Sequence, residues 1–332
     1  MGIKIIAWHE ADLEALRELY CNYPYPPYFG SHVVDDRMQT YRFNKICKIA
    51  DTNPETFSVA VLNDRPFCAA QLQRVDHLSN RLGVEIGTLT NEAFVPEISE
   101  MTYRCSLMLI SAFRDLAEKQ RFLFLTTSVA SQALHWIRAL EGVGFRYADG
   151  FRHVVEDIKD NYDDFLIDNL IIRDFTASDY EEILYSFTNM PFPSYLLYEP
   201  EFDKGLVMQL YANRYREVHE KGLGRVFVGE MDGKFMGALN GIIDRDILRE
   251  LGVVVNHVSQ GLIIHPRAAG KGIAIGLVAF RHNWYREQGM QYGYLGSNIN
   301  NIAMIRGLEK IKAKHAGIEM SFMLRLRHDE PQ

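Results

Sequence analysis

The chain has 332 residues, of which 47% are hydrophobic and 24% are charged, and this composition is typical of a globular protein rather than a disordered one. Because this length exceeds the usual size of one domain, we expect two domains of roughly 150 residues each. A formal net charge of -7, with no run of Lys and Arg interleaved with aromatic residues, argues against a nucleic-acid partner.

Cysteine usage and apolar segments narrow the class of protein further. There is no CxxC pair and no histidine at metal-ligand spacing, so we expect no metal site and reduced, mostly buried thiols at Cys21, Cys47, Cys68 and Cys105. The first residues contain no apolar core of signal-peptide length. The longest apolar stretch, at 273–280, is far shorter than a membrane span. The sequence therefore predicts a cytoplasmic protein with no membrane partner.

The first half begins with a strand, a helix and a loop rich in proline and aromatic residues. Ile3–Ala7 predicts a short strand, a helix begins near Ala11, and the segment NYPYPPYF follows at 22–29. A second helix is predicted at 35–50, and two strands then flank the Asn-Asp dipeptide at 63–64. Both residue types tolerate the left-handed conformation that a two-residue hairpin turn needs. A third strand, a long helix, another strand and a last helix complete this half.

The second half repeats these elements in the same order. NMPFPSYL at 189–196 matches NYPYPPYF at 22–29 in its Asn, Pro, Pro and Tyr residues, at an offset of 167 positions. IRGLE at 305–309 matches IRALE at 137–141 at an offset within one residue of that value. Several matches at one offset, equal to about half the chain length, indicate a duplicated domain.

Two domains, at about 1–157 and 158–332, follow from this repeat. The segment EDIKDNYDDFLID at 156–168 has six acidic residues against one lysine, which suits a solvated connector. In each half, antiparallel strands come first and a strand-helix-strand unit follows. We therefore expect an α/β (α+β) fold of two tandem domains, each a mixed, mostly antiparallel sheet flanked by helices.

A segment of the second half has the features of an anion-binding loop. A β-rich run ends at Ile264, and a helix begins shortly after the glycines at Gly270 and Gly272. The first N–H groups of a helix are unpaired and lie at its positive dipole end, where an anion is favoured. Arg267 and Lys271 add charged hydrogen-bond donors to the same loop.

Two common phosphate-binding motifs fit this loop poorly. A nucleoside-triphosphate loop needs Ser or Thr after its Gly-Lys, whereas Gly272 follows Lys271. The dinucleotide fingerprint needs a glycine where Ile275 stands, and no acidic residue follows at a strand end about 20 positions later.

The segment IIHPRAAGKG, at 263–272, resembles the acyl-CoA pyrophosphate loop of the GNAT acyltransferase superfamily. That loop reads Arg/Gln-x-x-Gly-x-Gly/Ala and follows a strand that ends in His-Pro. The order of strands and helices in each half is also similar to the fold of this family. The resemblance covers the whole chain as two copies, and it implies that acyl-CoA is bound and that an acyl group is moved to an amine.

The resemblance implies roles for residues of the second half. The strand 258–264 would separate from its neighbour and offer main-chain groups to the pantetheine arm, while amides of the loop would hold the pyrophosphate. The implied coenzyme A residues are Leu262, Ile263, Ile264, Arg267, Ala268, Ala269, Gly270, Lys271, Gly272 and Ile273, with Asn298 and Asn301 at the pantetheine or adenosine end.

Direct attack of an amine on the thioester is the implied chemistry, with a main-chain N–H near Ile264 holding the oxyanion. His257 and Ser259 are the candidate catalytic residues, because they lie on the strand that carries the thioester. The family's tyrosine that often protonates the leaving thiolate is replaced by Leu308, which has no proton to give. In the first half, VPEISEMT at 95–102 stands in place of the loop, and its two glutamates would repel a pyrophosphate. We expect one acyl-CoA per chain.

The two proline-aromatic loops are the candidate acceptor site, because the segment between the first two helices borders the acceptor pocket in this superfamily. Proline fixes φ, and tyrosine offers a flat ring with a polar rim. The candidate substrate-binding residues are Tyr23, Tyr25, Tyr28, Phe192 and Tyr195. A structural role is the open alternative, in which the rings hold the domains together or cap the first helix against the core. Both halves keep the loop, although only one is expected to bind coenzyme A.

The tandem arrangement is similar to mycothiol synthase and to the bacterial N-acyltransferases that modify nucleotide-linked amino sugars, in O-antigen or related glycan synthesis. We expect a small polar amine as the acceptor, a nucleotide-linked amino sugar first, and a monomer or homodimer. Another small amine, such as an antibiotic or a polyamine, and a protein amine are alternatives. A coenzyme A-binding regulatory protein without catalysis is another. An aminoacyl transferase that uses charged tRNA is disfavoured by the acidic charge and the intact loop.

Overall fold

The chain folds into two compact units in a computed structural model. The structure describes residues 2–26, 36–158, 160–190, 193–251, 255–258 and 261–326, with the main chain alone at 248, 251 and 255–258. One unit comprises Met1–Gly150 with Gly317–Gln332, and the other comprises Phe151–Ala316. Within the described ranges, none of the helices has the length and apolarity that crossing a bilayer requires.

The first unit alternates strands with helices after an opening strand and two helices. Its strands are β1 (Ile3–Ala7), β2 (Phe57–Leu62), β3 (Arg65–Arg74), β4 (Ile86–Phe94), β5 (Phe124–Ala130) and β6 (Arg146–Asp157), the last of which runs on into the second unit. Its helices are α1 (Leu13–Cys21), α2 (Asp36–Thr52), α3 (Asp76–Leu82), α4 (Glu100–Lys119) and α5 (Leu134–Val143). Helix α1 begins where it does because the Asp12 carboxylate accepts the N–H of Ala15 at 2.7 Å.

The second unit has the same succession of elements. Its strands are β7 (Ile171–Asp174), β8 (Gly224–Met231), β9 (Lys234–Ile242), β10 (Val255–Val258), β11 (Leu262–Ile264), β12 (Tyr292–Asn298) and β13 (Lys314–Arg325), which continues into the first unit. Its helices are α6 (Asp179–Asn189), α7 (Lys204–Glu220), α8 (Arg245–Leu251), α9 (Ile273–Glu287) and α10 (Ile302–Lys310).

In the first unit, the strands pair in the order β1-β2-β3-β4-β5-β13. All of these pairs are antiparallel except β4 with β5, which run parallel. Helix α4 lies against β1, β2 and β3 and also packs on α5, while α1 packs on β3 and β4. The apolar side chains between these layers form one core, which includes Leu16, Phe43, Leu109 and Trp136.

In the second unit, β7, β8, β9 and β11 form an antiparallel sheet in the order β11-β9-β8-β7. A separate ladder joins β12 to β6 in antiparallel fashion and to β10 in parallel fashion. Helix α9 packs against β8, β9 and β11, and helices α6 and α7 also contact β9. Leu277 and Val278 of α9 are buried in the core that this packing forms.

The repeat predicted from the sequence is present throughout the two units. Helices α2 and α7 begin at Asp36 and Lys204, and strands β5 and β12 begin at Phe124 and Tyr292, so both pairs are 168 positions apart. Helices α3 and α8 also correspond, although the sequence analysis predicted neither of them. The predicted class, a mixed α/β fold with mostly antiparallel sheets and flanking helices, is confirmed.

The predicted hairpin turns have the backbone conformation that their residues suggested. Between β2 and β3, Asn63 and Asp64 have φ angles of 52° and 62°. Between β8 and β9, Asp232 and Gly233 have φ angles of 52° and 68°. Two successive left-handed residues match the twist of the flanking strands, which is why these residue types occur there.

The last strand belongs to the sheet of the first unit. Residues Glu319–Arg325 of β13 pair with Phe124–Ala130 of β5. The chain therefore passes from the first compact unit to the second between residues 150 and 151, and it returns to the first between residues 316 and 317. The sequence analysis expected a single boundary, between residues 157 and 158. Pairing between segments almost 200 residues apart leaves no local signal in the pattern of apolar residues, because either domain can bury such a strand.

Candidate functional site

The two strands that precede the predicted anion loop have different hydrogen-bonding partners. Val255–Val258 of β10 pair in parallel with Tyr292–Leu295 of β12. Leu262–Ile264 of β11 pair in antiparallel fashion with β9. Strand β12 continues to Asn298 in its pairing with β6, so its other edge is open beyond Leu295 among the described residues.

The main-chain groups of β11 point in two directions. The carbonyl of Gly261 accepts a hydrogen bond from β9 at 2.7 Å, and the N–H of His265 donates one to β9 at 2.9 Å. Alternate residues of an antiparallel strand bond to the same neighbour, so Leu262 and Ile264 direct their N–H and C=O groups to the other edge. No strand pairs with that edge in the described part of the chain.

The turn that follows β11 is fixed by His265. Its Nδ1 accepts the N–H of Arg267 at 3.1 Å, and Pro266–Ala268 form a short 3-10 turn. Its Nε2 lies 3.3 Å from Oε2 of Glu182, outside hydrogen-bond geometry, and its ring stacks on Tyr185. Burial lowers the pKa of His265, with Arg267 acting in the same direction, which favours the neutral ring. His265 is thus a structural residue of the turn.

The start of α9 has N–H groups that no side chain caps. Gly270 and Gly272 have φ angles of 75° and 79°, which glycine adopts without the steric cost of a β-carbon. Gly272 is the N-cap residue, and its position offers no side-chain acceptor to the helix. Across the described residues, the N–H groups of Gly270, Gly272 and Ile273 have no hydrogen-bond acceptor. These groups and the helix dipole together suit an anion.

Charged side chains surround these N–H groups. Arg267 and Lys271 are exposed, and both lie in the loop that leads to α9. The Nη2 atom of Arg267 lies 3.7 Å from Oε2 of Glu182 on α6, so one carboxylate lies beside this guanidinium. The remaining positive charge and the free N–H groups are the kinds of group that could hold a multiply charged anion.

The two predicted asparagines cap the turn after β12. Oδ1 of Asn298 accepts the N–H of Asn300 at 2.8 Å, and Oδ1 of Asn301 accepts the N–H of Met304 at 3.1 Å at the start of α10. These bonds explain both residues by local structure, and their contact with coenzyme A stays a prediction. Leu308 of α10 is buried in the core, so the position that the resemblance assigns to a proton-donating tyrosine has an apolar side chain.

The predicted catalytic residues and two predicted acceptor residues are only partly described. His257 lies in β10, in register with Tyr294 of β12, and only its main chain is described. Ser259, Tyr28 and Phe192 lie outside the described residues.

The described tyrosines of the proline-aromatic loops have structural neighbours. Tyr23 is 1% exposed, its ring lies edge-on to Phe94 at 4.9 Å, and its hydroxyl donates to Oε1 of Glu92 at 3.1 Å. Burial raises the pKa of Tyr23 well above its usual value. Tyr25 is half-buried, with its ring edge-on to Tyr23, and Tyr195 begins a 3-10 turn. Core packing therefore accounts for Tyr23 without an acceptor.

The strand of the first unit that corresponds in order to β10 and β11 is β4. It pairs in parallel with β5 along Ile86–Leu89, and on its other edge it pairs in antiparallel fashion with β3 from Gly87 to Phe94. Beyond Leu89, Asn91 has a φ of 52° and interrupts the register with β3. The carbonyl of Asn91 accepts the hydroxyl of Tyr20 at 2.6 Å, so a group at this bulge is already bound within the unit.

Aromatic side chains fill the space around the end of β4. The Phe94 ring stacks on the buried Trp136 at 5.2 Å, and His135 meets it edge-on at 4.6 Å. The sequence places the smaller residues Met304 and Ala303 at the corresponding positions of α10, 168 positions later. Burial lowers the pKa of His135 to about 4.

The helix that follows β4 is capped by its own side chains. Oγ of Ser99 accepts the N–H of Thr102 at 3.2 Å, and Oγ1 of Thr102 accepts the N–H of Ser99 at 2.9 Å. Glu97 and Glu100 flank this cap and are exposed. The N-terminus of α4 therefore has an internal hydrogen-bond partner and a negative surface, unlike that of α9.

Two residues near the second unit's site were missed by the sequence analysis. Glu182 carries no local signal, because it reads as one of several acids in the first turns of α6. Asn240 is an isolated polar residue in an apolar strand, and the structure buries it beside Gly261. A polar residue within an otherwise apolar strand was the sequence signal that could have identified Asn240.

The comparison with known proteins gives structural matches alone. No protein-family model matches the sequence, and neither does any curated protein. A GCN5-related N-acetyltransferase from Sphaerobacter thermophilus has a TM-score of 0.62 at 11% identity, over 99% of this chain and 98% of that one. A tandem GNAT protein from the clavulanic acid biosynthesis pathway has a TM-score of 0.56 at 11% identity, over 99% of this chain and all 100% of that one.

A third match covers part of a larger protein. A glucosamine N-acetyltransferase region of a fungal multi-domain β-N-acetylglucosaminidase has a TM-score of 0.59 at 13% identity, over 97% of this chain and 38% of that one. Identities this low establish a shared fold and nothing finer. The chain has a fold of two tandem GNAT-like domains.

Proposed function

We propose that the protein is an acyl-CoA-dependent N-acyltransferase whose second unit binds the acyl-CoA. The observation that carries this proposal is the combination of an open strand edge at Leu262–Ile264 with an uncapped helix start at Gly272. The open edge offers main-chain donors and acceptors to a ligand that contains amides. The helix start offers N–H groups and cations to a ligand that contains phosphates. Coenzyme A has both kinds of group in one extended molecule.

The residues present fit each part of this ligand. The N–H groups of Gly270, Gly272 and Ile273, with the side chains of Arg267 and Lys271, hold the pyrophosphate, as a positively charged helix N-terminus does. Leu262 and Ile264 bond the pantetheine amides along the open edge of β11, in the manner of an added strand. Acyl-CoA supplies, when bound, a thioester whose acyl group an amine can take over directly.

The second unit promotes this transfer mainly by position and by main-chain hydrogen bonds. An N–H of β11 beside the reacting carbonyl stabilises the oxyanion that forms, and one such donor is typically worth about 3–4 kcal/mol of barrier. Holding the amine in line with the carbonyl contributes roughly 7–11 kcal/mol more. Leu308 cannot give a proton to the leaving thiolate. Because a thiol has a pKa near 8.5, its thiolate is stable enough to leave without being protonated. His257 and Ser259 are proposed to pass the amine's proton on to water.

The acceptor is proposed to be a primary amine on a small polar scaffold, with a nucleotide-linked amino sugar as the first candidate. One of the structures with this fold is described as a glucosamine N-acetyltransferase, which supports testing amino sugars first. Tyr25, Tyr28, Phe192 and Tyr195 remain the proposed contacts of the acceptor, whereas Tyr23 is explained by packing. The alternatives are a mycothiol-synthase-like or antibiotic amine, and a coenzyme A-binding regulatory protein without catalysis.

Thiol release tests the proposal. The protein is incubated with acetyl-CoA and with longer acyl-CoAs, in the presence of glucosamine, a nucleotide-linked amino sugar, a polyamine or a lysine peptide, and free thiol is measured. We expect thiol release that depends on one class of amine, with the acylated amine detected by mass. Binding of coenzyme A without turnover of any amine would favour the regulatory alternative, and no binding at all would refute both.

A further inference from the structure

Asn240 lies beside Gly261, the residue just before β11, which is the strand proposed to bind acyl-CoA. It is a residue of β9, and its N–H donates to the carbonyl of Gly261 at 2.7 Å. Gly261 stands between Val258, the last residue paired with β12, and Leu262, the first residue paired with β9 by register. The side chain of Asn240 therefore lies next to the main chain between β10, which pairs with β12, and β11, which pairs with β9.

The carboxamide of Asn240 is buried, and no described residue forms a hydrogen bond with it. The residue is 1% exposed, and neither its Oδ1 nor its Nδ2 has a hydrogen-bond partner among the residues that the structure describes. Burying an amide without partners is unfavourable, so such a group in a folded protein points to a partner that arrives from outside. A strand position of this kind would otherwise carry an apolar residue.

Gly261 provides the space for this carboxamide. A β-carbon at position 261 would lie 2.7 Å from Cβ of Asn240 and 3.2 Å from its Nδ2. Any other residue at 261 would displace the Asn240 side chain. The missing β-carbon of Gly261 therefore leaves room for the Asn240 carboxamide beside the main chain that leads into β11.

The carboxamide stands on the face of the sheet opposite to α9. A β-carbon on the neighbouring Gly241 would meet Trp284 of α9, so position 241 points toward α9. Successive residues of a strand point to opposite faces, so Asn240 points toward the face on which α6 and α7 contact β9. A thioester bound along the strand edge lies in the plane of the sheet, and its carbonyl is attacked from above or below that plane. A polar group on this face is placed to meet an amine that attacks from the same side.

We propose that Asn240 positions the acceptor amine, its Oδ1 accepting an N–H of that amine and so directing the nitrogen lone pair at the thioester carbonyl carbon. In this step a C–N bond forms and the C–S bond breaks, the thiolate leaves, and the proton of the amine passes to water. Asn240 neither gains nor loses a proton, and it acts as a positioning residue. The proposal rests on the proposed acyl transfer.

Three variants test this role: Asn240→Leu, which removes both polar atoms, Asn240→Asp, which keeps an acceptor oxygen, and Leu239→Val as a control on the opposite face. Acetyl-CoA is the donor, glucosamine and the other amines named above are the probe acceptors, and acetyl-CoA hydrolysis is followed with water as the acceptor. We expect Asn240→Leu to lower kcat/KM for the amine about 10- to 100-fold, the range for one lost hydrogen bond to a reacting group. The Kd for acetyl-CoA should stay within about twofold.

Two further readouts separate positioning from a structural role. Because an unpartnered amide is lost, Asn240→Leu should unfold at the same or a higher temperature than the wild type. Asn240→Asp should regain activity as the pH rises and its carboxyl group loses a proton. Leu239→Val should lower stability and leave kcat/KM unchanged.

Each outcome decides between the proposals. Unchanged kcat/KM in Asn240→Leu, with an active wild type, would overturn the role of Asn240 alone. A parallel loss of stability and of acetyl-CoA affinity in that variant would show a structural role instead. A wild type that binds acetyl-CoA but transfers acetyl to neither amine nor water would overturn the proposed transferase, and this inference with it.

Discussion

At the scale of residues, the left-handed glycine at the start of α9 is the feature on which anion binding depends most. Gly272→Val should weaken the binding of coenzyme A by at least about tenfold, because a β-branched residue disfavours φ of 79° and the N–H groups would turn away. Backbone strain of about 1–2 kcal/mol should also appear as lower stability. Both effects are measured by calorimetric titration and by thermal unfolding.

A matched control isolates binding from strain. Gly289, just after the C-terminus of α9, has a φ of 75° and, like Gly272, has no close neighbour that a β-carbon would strike. Gly289→Val should therefore cost similar stability and leave the affinity for coenzyme A as in the wild type. Equal loss of affinity in both variants would mean that general destabilisation, and not the loop, is responsible.

The carboxylate of Glu182 should oppose the binding of a pyrophosphate. It lies 3.7 Å from Arg267, so it competes for that guanidinium and adds negative charge near the loop. Glu182→Gln should raise the affinity for coenzyme A about two- to fivefold at low salt, with a smaller gain at high salt. Glu181→Gln, at the exposed neighbouring position, controls for the change in net charge. A weaker affinity in Glu182→Gln would mean that Glu182 supports the loop rather than opposing the ligand.

Individual side chains of the site were predictable to different degrees. The glycines of the loop could be found because their function imposes a backbone conformation that few other residues adopt. Tyr23 was expected either at an acceptor pocket or in a structural role, and the sequence could not decide between the two because an aromatic residue next to prolines is equally typical of a core and of a pocket. Asn240 was missed because its environment depends on a strand more than 20 positions later.

At the scale of elements, equivalent helices of the two units have diverged at their N-termini. Helix α4 closes its first turn with Ser99 and Thr102, whereas α9 begins at Gly272 and leaves its first N–H groups without a cap. The preceding strands, β4 and β11, pair in antiparallel fashion with β3 and β9. The two units therefore differ in this loop and in the aromatic side chains around Phe94, while the succession of strands and helices is shared.

The cluster of Phe94, His135 and Trp136 should make the stability of the first unit sensitive to acid. The pKa of His135 is lowered to about 4 in the folded state, below its usual value near 6.5 in an unfolded chain. The unfolded state then binds more protons between these values, so stability should fall as the pH drops from about 6.5 to about 4, by roughly 3 kcal/mol.

The variant His135→Leu removes the titrating group and keeps an apolar side chain in the core. Urea unfolding at pH 7 and pH 4.5 should show a smaller loss of stability for this variant than for the wild type. The same loss in both proteins would assign the acid sensitivity to other groups.

Local patterns predicted most elements and missed their long-range partners. The strands, the turn at 63–64 and the major helices follow from apolar periodicity and turn residues. Because the chain is duplicated, each of these elements could be predicted from two copies of the pattern. Helices α3 and α8 are seven residues long each, too short for a periodic pattern to stand out. The pairing of β13 with β5 was beyond prediction, because it depends on which of two similar sheets has a free edge.

At the scale of the whole molecule, duplication has produced one unit suited to a ligand and one that is filled by its own side chains. The open edge of β11 and the uncapped start of α9 are features of the second unit. In the first unit, Phe94, Trp136 and His135 pack together at the corresponding strand end. The proposed binding of one acyl-CoA per chain follows from this asymmetry.

Calorimetric titration of the full chain with coenzyme A tests this central claim most directly. We predict one binding site per chain in the wild type, strong loss of that site in Gly272→Val, and retention of it in Gly289→Val. Two equivalent sites in the wild type, or no detectable binding, would contradict the claim that the second unit alone accepts an acyl-CoA.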